Sequence, residues 1–309
     1  MHNGSLPIPE DSLPDRFSPF SQRAFEYAVT VARLYDAEIE ALHVFPLVAP
    51  VTGDLTYTAT IVRLDENMSR TLSEDLHRFV EPAKAAGVAT KTLLVEGDPP
   101  TFILERTRKV PIDLVVMGTH GRRGFDRWIM GSVAHRVLRK AACPVLTVPP
   151  GSEAGPRGGL PVLMRILCAL DLTEDSRGTL EHAVSLARAS NATLIVHHVM
   201  EGSHPHEMHP ERPGEPAFLD EMRQHVEARA RGVEETLAPG EIGDIGGVER
   251  IVTRGRAYEE VLRISAERKA DLIVMGVHGR KGTELPFFGS TAQHVVEHAT
   301  CPVLTVRPR

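Results

Sequence analysis

Residues 271–306 read DLIVMGVHGRKGTELPFFGSTAQHVVEHATCPVLTV, and residues 113–148 read DLVVMGTHGRRGFDRWIMGSVAHRVLRKAACPVLTV. The two stretches align without a gap at an offset of 158, which takes Met117 to Met275, Gly131 to Gly289 and Cys143 to Cys301. Each reads as an apolar run ending in Met-Gly, a glycine-rich loop, a helix opening after Gly-Ser, and a final Pro-Val-Leu-Thr-Val run. Further upstream, AFEYAVTVARLYDAEIEALHV (residues 24–44) matches TLEHAVSLARASNATLIVHHV (residues 179–199) at an offset of 155. A period of about half the chain means two duplicated domains rather than a solenoid of small units.

Working outward through the second copy, Arg165–Leu170 (RILCAL) is a short apolar run. Ser176–Ala189 then puts Leu180, Ala183, Val184, Leu186 and Ala187 on one helical face. Strands are expected at Thr193–Val199, Val248–Thr253, Asp271–Met275 and Pro302–Val306, and helices at Ala217–Leu237, Ala257–Lys269 and Ala292–Ala299. Five strands alternating with helices predict an α/β fold in which each half is a doubly wound, five-stranded parallel sheet. Uninterrupted apolar runs such as DLIVMG suit strands covered on both faces. In such sheets ligands bind beyond the carboxyl ends of the strands, where the strand order reverses. Residues 149–161, PPGSEAGPRGGLP, read as a linker between a domain at 1–148 and another at 162–309.

Composition narrows the function classes. The chain has 309 residues, enough for two domains at roughly 100–200 residues each. Lys and Arg number 35 against 41 Asp and Glu, a net charge of -6, which argues against general binding of nucleic acid. No apolar run approaches the ~18 residues of a membrane span, and MHNGSLPIPEDSLPD lacks a secretory apolar region. A cytoplasmic location without membrane association is expected. Three cysteines make neither a disulfide framework nor a metal pattern.

The chemical signal is the glycine loop, Gly276-x2-Gly279-x9-Gly289-Ser290 in one half and Gly118-x2-Gly121-x9-Gly131-Ser132 in the other. Glycines let backbone N–H groups approach a phosphate closely. A helix start adds free N–H groups and the positive end of its dipole. Arg122, Arg123, Arg280 and Lys281 add charge within the loops. Neither G-x-x-x-x-G-K-[ST] nor G-x-G-x-x-G occurs, so the usual phosphate-loop and dinucleotide readings fail. The plainer reading is that these glycines only make turns; their identical spacing in both halves weighs against it.

With these motifs the chain resembles the universal stress protein family in its tandem form, over about residues 17–148 and 163–308. The G-x2-G-x9-G-[ST] pattern is similar to that of the family's ATP-binding branch. The resemblance implies a Rossmann-like, adenine-nucleotide-binding α/β fold, with ATP as ligand, with or without Mg2+. On the second half it places Ala169, Leu170 and Asp171 at the end of the first strand, the acid contacting the adenine side with Val199. Met275, Gly276 and Gly279 would line the ribose and inner phosphates, and Gly289, Ser290 and Thr291 would hold the outer ones. The matching positions in the first half are Val44, Met117, Gly118, Gly121, Gly131, Ser132 and Val133. It also implies a regulatory role in stress response, with an unidentified protein partner. The halves would pair about a pseudo-two-fold axis through their last strands, and two chains would form a homodimer. No catalytic base recurs in both halves, so any ATP hydrolysis would be slow.

The first half departs from this pattern. At the offset of 155, Asp171 falls on Arg16, and Arg165–Leu170 falls on Glu10–Asp15, EDSLPD. Acid, Ser and Pro at those positions cannot form a buried central strand. Yet Glu10–Phe17 can be encoded GAA GAT TCT CTG CCC GAC CGA TTT, which one base forward spells Lys-Ile-Leu-Cys-Pro-Thr-Asp-Phe. That is a first strand ending in the missing Asp, so the hypothesis is a frame error just upstream of Phe17 that gives residues 1 to about 17. Resequencing the gene tests it; otherwise the first half is the weaker or empty site.

Other residues have plainer expectations. His204, His206 and His209 sit in a Pro-rich loop without a Cys partner and read as solvated. His120 and His278 are read as shaping the glycine loops, Cys143 and Cys301 as small buried hydrophobes, and Asp98 and Arg256 as solvated loop residues after the third strands. Trp128 and Phe287 are read as packing residues.

Overall fold

A computed structural model describes residues 17–45, 66–119, 130–152, 159–171, 176–201, 245–277 and 288–307. The first half comprises α1 (Pro19–Tyr35), β1 (Ile39–Phe45), α2 (Glu66–Ala85), β2 (Thr90–Glu96), α3 (Pro99–Lys109), β3 (Val115–Gly118), α4 (Ser132–Lys140) and β4 (Val145–Val148). The second comprises β5 (Arg165–Leu170), α5 (Ser176–Ser190), β6 (Thr193–Met200), β7 (Gly247–Arg254), α6 (Ala257–Glu267), β8 (Leu272–Gly276), α7 (Ser290–His298) and β9 (Val303–Val306). The charged helix expected at Ala217–Leu237 lies outside the described residues.

Local chemistry accounts for several element ends. Ser18 caps α1, its side chain accepting from the Ser21 N–H at 3.2 Å, and Pro19 follows where no N–H is needed. Asp36 ends that helix in the left-handed region (φ 49°), and Asn191 does the same after α5 (φ 53°), the matching turn at the offset of 155. Gly97 and Gly255 share another turn at φ 151° and 150°, a conformation that L side chains rarely adopt.

A seven-stranded sheet in the order β3-β4-β9-β8-β5-β6-β7 runs through both halves. All its neighbours are parallel except β4 and β9, which meet antiparallel, with Leu146 opposite Leu304. The seam is tied reciprocally: buried Thr147 Oγ1 donates to the Val303 carbonyl and buried Thr305 Oγ1 to that of Val145, both at 3.1 Å. The halves therefore pair through their last strands, as the family resemblance implied. On one face of the sheet α1 and α5 bring Ala24, Tyr27, Leu180, Ala183 and Val184 onto Leu146, Ile166, Val274 and Leu304. On the other face α4, α6 and α7 close a second core around Leu167, Ile195, Ile273 and Val303.

The second half has all five expected strands. Among the described residues the first half has four, in two separate parallel pairs: β1 with β2, and β3 with β4. The position that aligns with β5, Glu10–Asp15, lies outside the described residues. The β1–β2 pair has a small core of its own, in which Phe25, Val29 and Ala32 of α1 meet Leu76, Val80 and Ala83 of α2 and Ala41 of β1.

Candidate functional site

In the second half the chain enters at β5, the middle strand, moves to β6 and β7 on one side, and crosses back to β8 and β9 on the other. The strand order thus reverses between β5 and β8, the position at which an open α/β sheet leaves a crevice. Ala169 lies opposite Met275, and Leu170 opposite His198. Asp171 therefore leaves the sheet with Val199 on one flank and the Gly276 end of β8 on the other. Leu170, Val199 and Met275 are buried, while Ala169, Asp171 and Gly276 are half-buried at the opening.

Two contacts fix this strand end, neither expected from sequence. Ser176 Oγ, at the first residue of α5, donates to Asp171 Oδ1. The His198 Nδ1–H donates to the Leu170 carbonyl at 2.7 Å. The signal for the second was available: His198 falls on His43 at the offset of 155. His43 itself has the Phe17 ring edge-on at 5.7 Å between centroids.

At the far side of the crevice the Val277 N–H donates to Val306 O (3.0 Å), and the Gly289 N–H donates to Val277 O (2.8 Å). The end of the glycine loop is thereby fastened to the end of β8. Gly289 is the N-cap of α7 and no side chain caps its first turn. Ser290 is exposed there and Thr291 half-buried. Uncapped N–H groups together with the helix dipole suit an anion. In the first half Thr119 N–H donates to Val148 O (3.1 Å) and Gly131 N–H to Thr119 O (2.7 Å). Gly131 likewise caps α4 without a side chain, Ser132 is exposed, and Val133 is half-buried.

The first half thus keeps the helix-start side of the crevice. Its other side differs: Val44, Met117 and Gly118 are half-buried, and the position matching Asp171 lies outside the described residues. So do Gly121, Gly279, Arg122, Arg123, Arg280, Lys281, His120, His278, Trp128, Phe287 and the three histidines at 204, 206 and 209. Asp98 is exposed, as expected, and also caps a helix: it accepts from the Thr101 N–H (3.3 Å) at the start of α3. Arg256 occupies the matching position before α6 with no such bond, and Glu201 accepts from the Ala257 N–H instead (3.2 Å). Among the described residues no cluster of His, Cys, Asp and Glu could hold a metal ion.

Burial sets the remaining chemistry. Cys143 and Cys301 are buried, and burial pushes the Cys301 thiol up to about 11, so it stays protonated and inert. His197, 1% exposed on β6, bonds Thr253 Oγ1 at 2.9 Å through Nε2, and its Nδ1 has no partner among the described residues. Burial lowers its pKa to about 4, against the raising effect of nearby Glu260.

Comparisons with known proteins agree with the repeat and the fold. The universal stress protein family model matches twice, over residues 13–149 and 163–307. A universal stress protein of Mycolicibacterium smegmatis is 26% identical over 293 residues, 94% of each chain. One of Methanocaldococcus jannaschii is 34% identical over 148 residues, covering 48% of this chain and 86% of its own. The crystal structure of a universal stress protein from Archaeoglobus fulgidus superposes with a TM-score of 0.64 at 22% identity, covering 96% of this chain and 97% of that one. No helix among the described residues is long and apolar enough to cross a membrane. With two copies of the family domain facing each other across the β4–β9 seam, the chain belongs to the universal stress protein family in its tandem form.

Proposed function

We propose that the chain is an ATP-binding regulatory module of the stress response, acting in the cytoplasm, and that the second half carries the working nucleotide site. The observation that supports this reading is the crevice at the strand-order reversal. It has a tethered carboxylate, Asp171, on one side and an uncapped helix start after Gly289 on the other. A carboxylate accepts from an exocyclic amine or a ribose hydroxyl, while N–H groups at a helix start donate to phosphate oxygens. Asp171 and Val199 would flank the adenine, Met275, Gly276 and Gly279 the ribose and inner phosphates, and Gly289, Ser290 and Thr291 the outer phosphates. Mg2+ would add charge neutralisation at the phosphates.

Regulation follows from differential affinity: ATP shifts the protein between two forms only as far as it binds one better than the other. The form it favours would present a surface to a protein partner or to a second copy of the chain. Calorimetric titration with Mg-ATP, repeated with ATP and chelator, tests the site. The expected stoichiometry is one ATP per chain, lost in Asp171→Ala. Two per chain would show that the first half binds without an aligned acid. No heat and no thermal stabilisation at millimolar ATP would overturn the reading, since a ligand of the folded form must stabilise it.

A further inference from the structure

Helix α7 turns Ala292, Val295 and Val296 into the core. That leaves His294 half-buried and His298 exposed on its outer side, one helical turn apart. The stretch His294-Val295-Val296-Glu297-His298 has the H-x-x-E-H order in which one helix face presents two imidazoles to a zinc ion. This is a feature of the second half alone. At the offset of 158 the counterparts of His294, Glu297 and His298 are Arg136, Arg139 and Lys140, none of them a metal ligand.

The two rings are already oriented. His294 Nδ1 lies 2.7 Å from the Ser290 carbonyl, and His298 Nδ1 lies 2.9 Å from the His294 carbonyl. A carbonyl only accepts, so each Nδ1 carries the proton and each Nε2 the lone pair, the form in which histidine ligates a metal. The rings are nearly parallel, 13° apart with centroids at 6.2 Å. His294 also stacks on Tyr258 of α6, at 4.6 Å and 27°. Tyr258 is itself held, its hydroxyl donating to Glu259 Oε1 at 2.9 Å. A backbone bond and an aromatic ring therefore fix His294, and exposed His298 is the member able to move. Two Nε2 atoms on one tetrahedral zinc stand about 3.3 Å apart, given Zn–N bonds of ~2.0–2.1 Å, so binding tilts His298 toward its neighbour.

Charge at this end of the helix suits a cation. His298 is the last residue of α7, where the helix dipole is negative. Glu297 stands beside it, with Gln293 Nε2 donating to its carboxylate at 2.9 Å. On α6 the cation nearest Tyr258 in sequence, Arg256, is paired with Glu259 at 3.3 Å.

We propose that His294 and His298 chelate a divalent cation of the zinc type through their Nε2 atoms, with water completing its shell. Imidazole nitrogen suits zinc, copper and nickel, whereas magnesium and calcium take oxygen. The clusters absent among the described residues are those of three or more His, Cys, Asp and Glu; this site is an open pair.

The test uses the full chain, stripped with a chelator and free of nucleotide, so that its outcome does not depend on the ATP reading. Zinc chloride is titrated while the imidazole NMR signals are followed, assigned with His294→Ala and His298→Ala. Zinc held by other histidines does not enter a readout taken from these two rings. The His294 and His298 signals should shift together, and magnesium at the same concentrations should move neither. In His298→Ala the His294 signal should need more than about ten-fold more zinc, because a chelate loses its second, intramolecular contact. His298 is exposed, so this variant should melt at the parent temperature without zinc. A His294 response at unchanged zinc in that variant, or no response of either ring below millimolar zinc, overturns the proposal. So does one zinc per two chains with dimer formation, which would make each histidine pair half of a bridge between copies.

Discussion

Where the second half packs Ile195 of β6 and Ile264 of α6 into one apolar core, the first half has Glu40 and Arg106 at the same two positions. Arg106 grips the carboxylate with both Nε (2.8 Å) and a terminal nitrogen (2.5 Å), and the guanidinium holds Glu40 below the usual carboxylate range. The same contrast runs along the strands: β6 and β8 are buried nearly throughout, while β1 and β3 are half-exposed. Yet the loop-to-helix joints match to about a tenth of an ångström, as the Gly131 and Gly289 hydrogen bonds show. Local chemistry is thus retained in both copies, whereas the described strands of the first half are less deeply covered than their counterparts.

The largest test of that contrast is a matched truncation. Leu272 and its counterpart Leu114 are the same residue in the two copies, one 2% exposed and the other only partly buried. Leu272→Ala should cost about 3–4 kcal/mol and Leu114→Ala about 1–2 kcal/mol, read from urea unfolding of each variant. Equal costs would mean that the halves are packed alike.

Acid gives the next largest effect. His197 is held neutral, with its pKa near 4 in the folded chain against 6.5 in the unfolded chain. The unfolded form therefore binds the extra proton first, and stability falls as pH drops from about 6.5 through 4. The loss should be on the order of 3 kcal/mol at pH 4. His197→Leu, which installs the residue found at the matching Leu42, should remove this share of the acid sensitivity. At pH 7 the variant loses the Nε2 bond to Thr253, about 1 kcal/mol, against which stands relief of the buried, unpartnered Nδ1. An unchanged pH profile in that variant would refute the assignment.

At the seam the two halves should respond identically. Thr147→Val and Thr305→Val each remove one hydroxyl bond of 3.1 Å across β4–β9, and each should cost about 1 kcal/mol in thermal unfolding. A marked difference between them would break the pseudo-symmetry. The smallest effect is expected at the ion pair. Arg106→Ala alone should lower the melting temperature slightly and less so in high salt. Replacing Glu40 and Arg106 together by Ile should leave stability level or raised, because an apolar pair there needs no desolvated charge. A double variant less stable than Arg106→Ala would show that this position cannot be packed as in the second half.

The sequence alone specified a great deal. The paired offsets of 158 and 155 marked the duplication, and the alternation of strands and helices marked the layers. Candidate glycines after β8 and before α7 were legible because glycine spacing and a Gly-Ser helix start act over a few residues. The tertiary structure decided what depends on residues far apart in the chain. It bonds His198 to the Leu170 carbonyl and clamps Glu40 with Arg106. It leaves His197 buried while its neighbour His198 serves the strand end, a distinction two adjacent histidines cannot announce. It also joins the halves by antiparallel β4 and β9, whose residues are about half the chain apart. Propensity and spacing are properties of neighbours along the chain. Burial, proton affinity and hydrogen-bond partners are properties of neighbours in space, and folding is what brings those together.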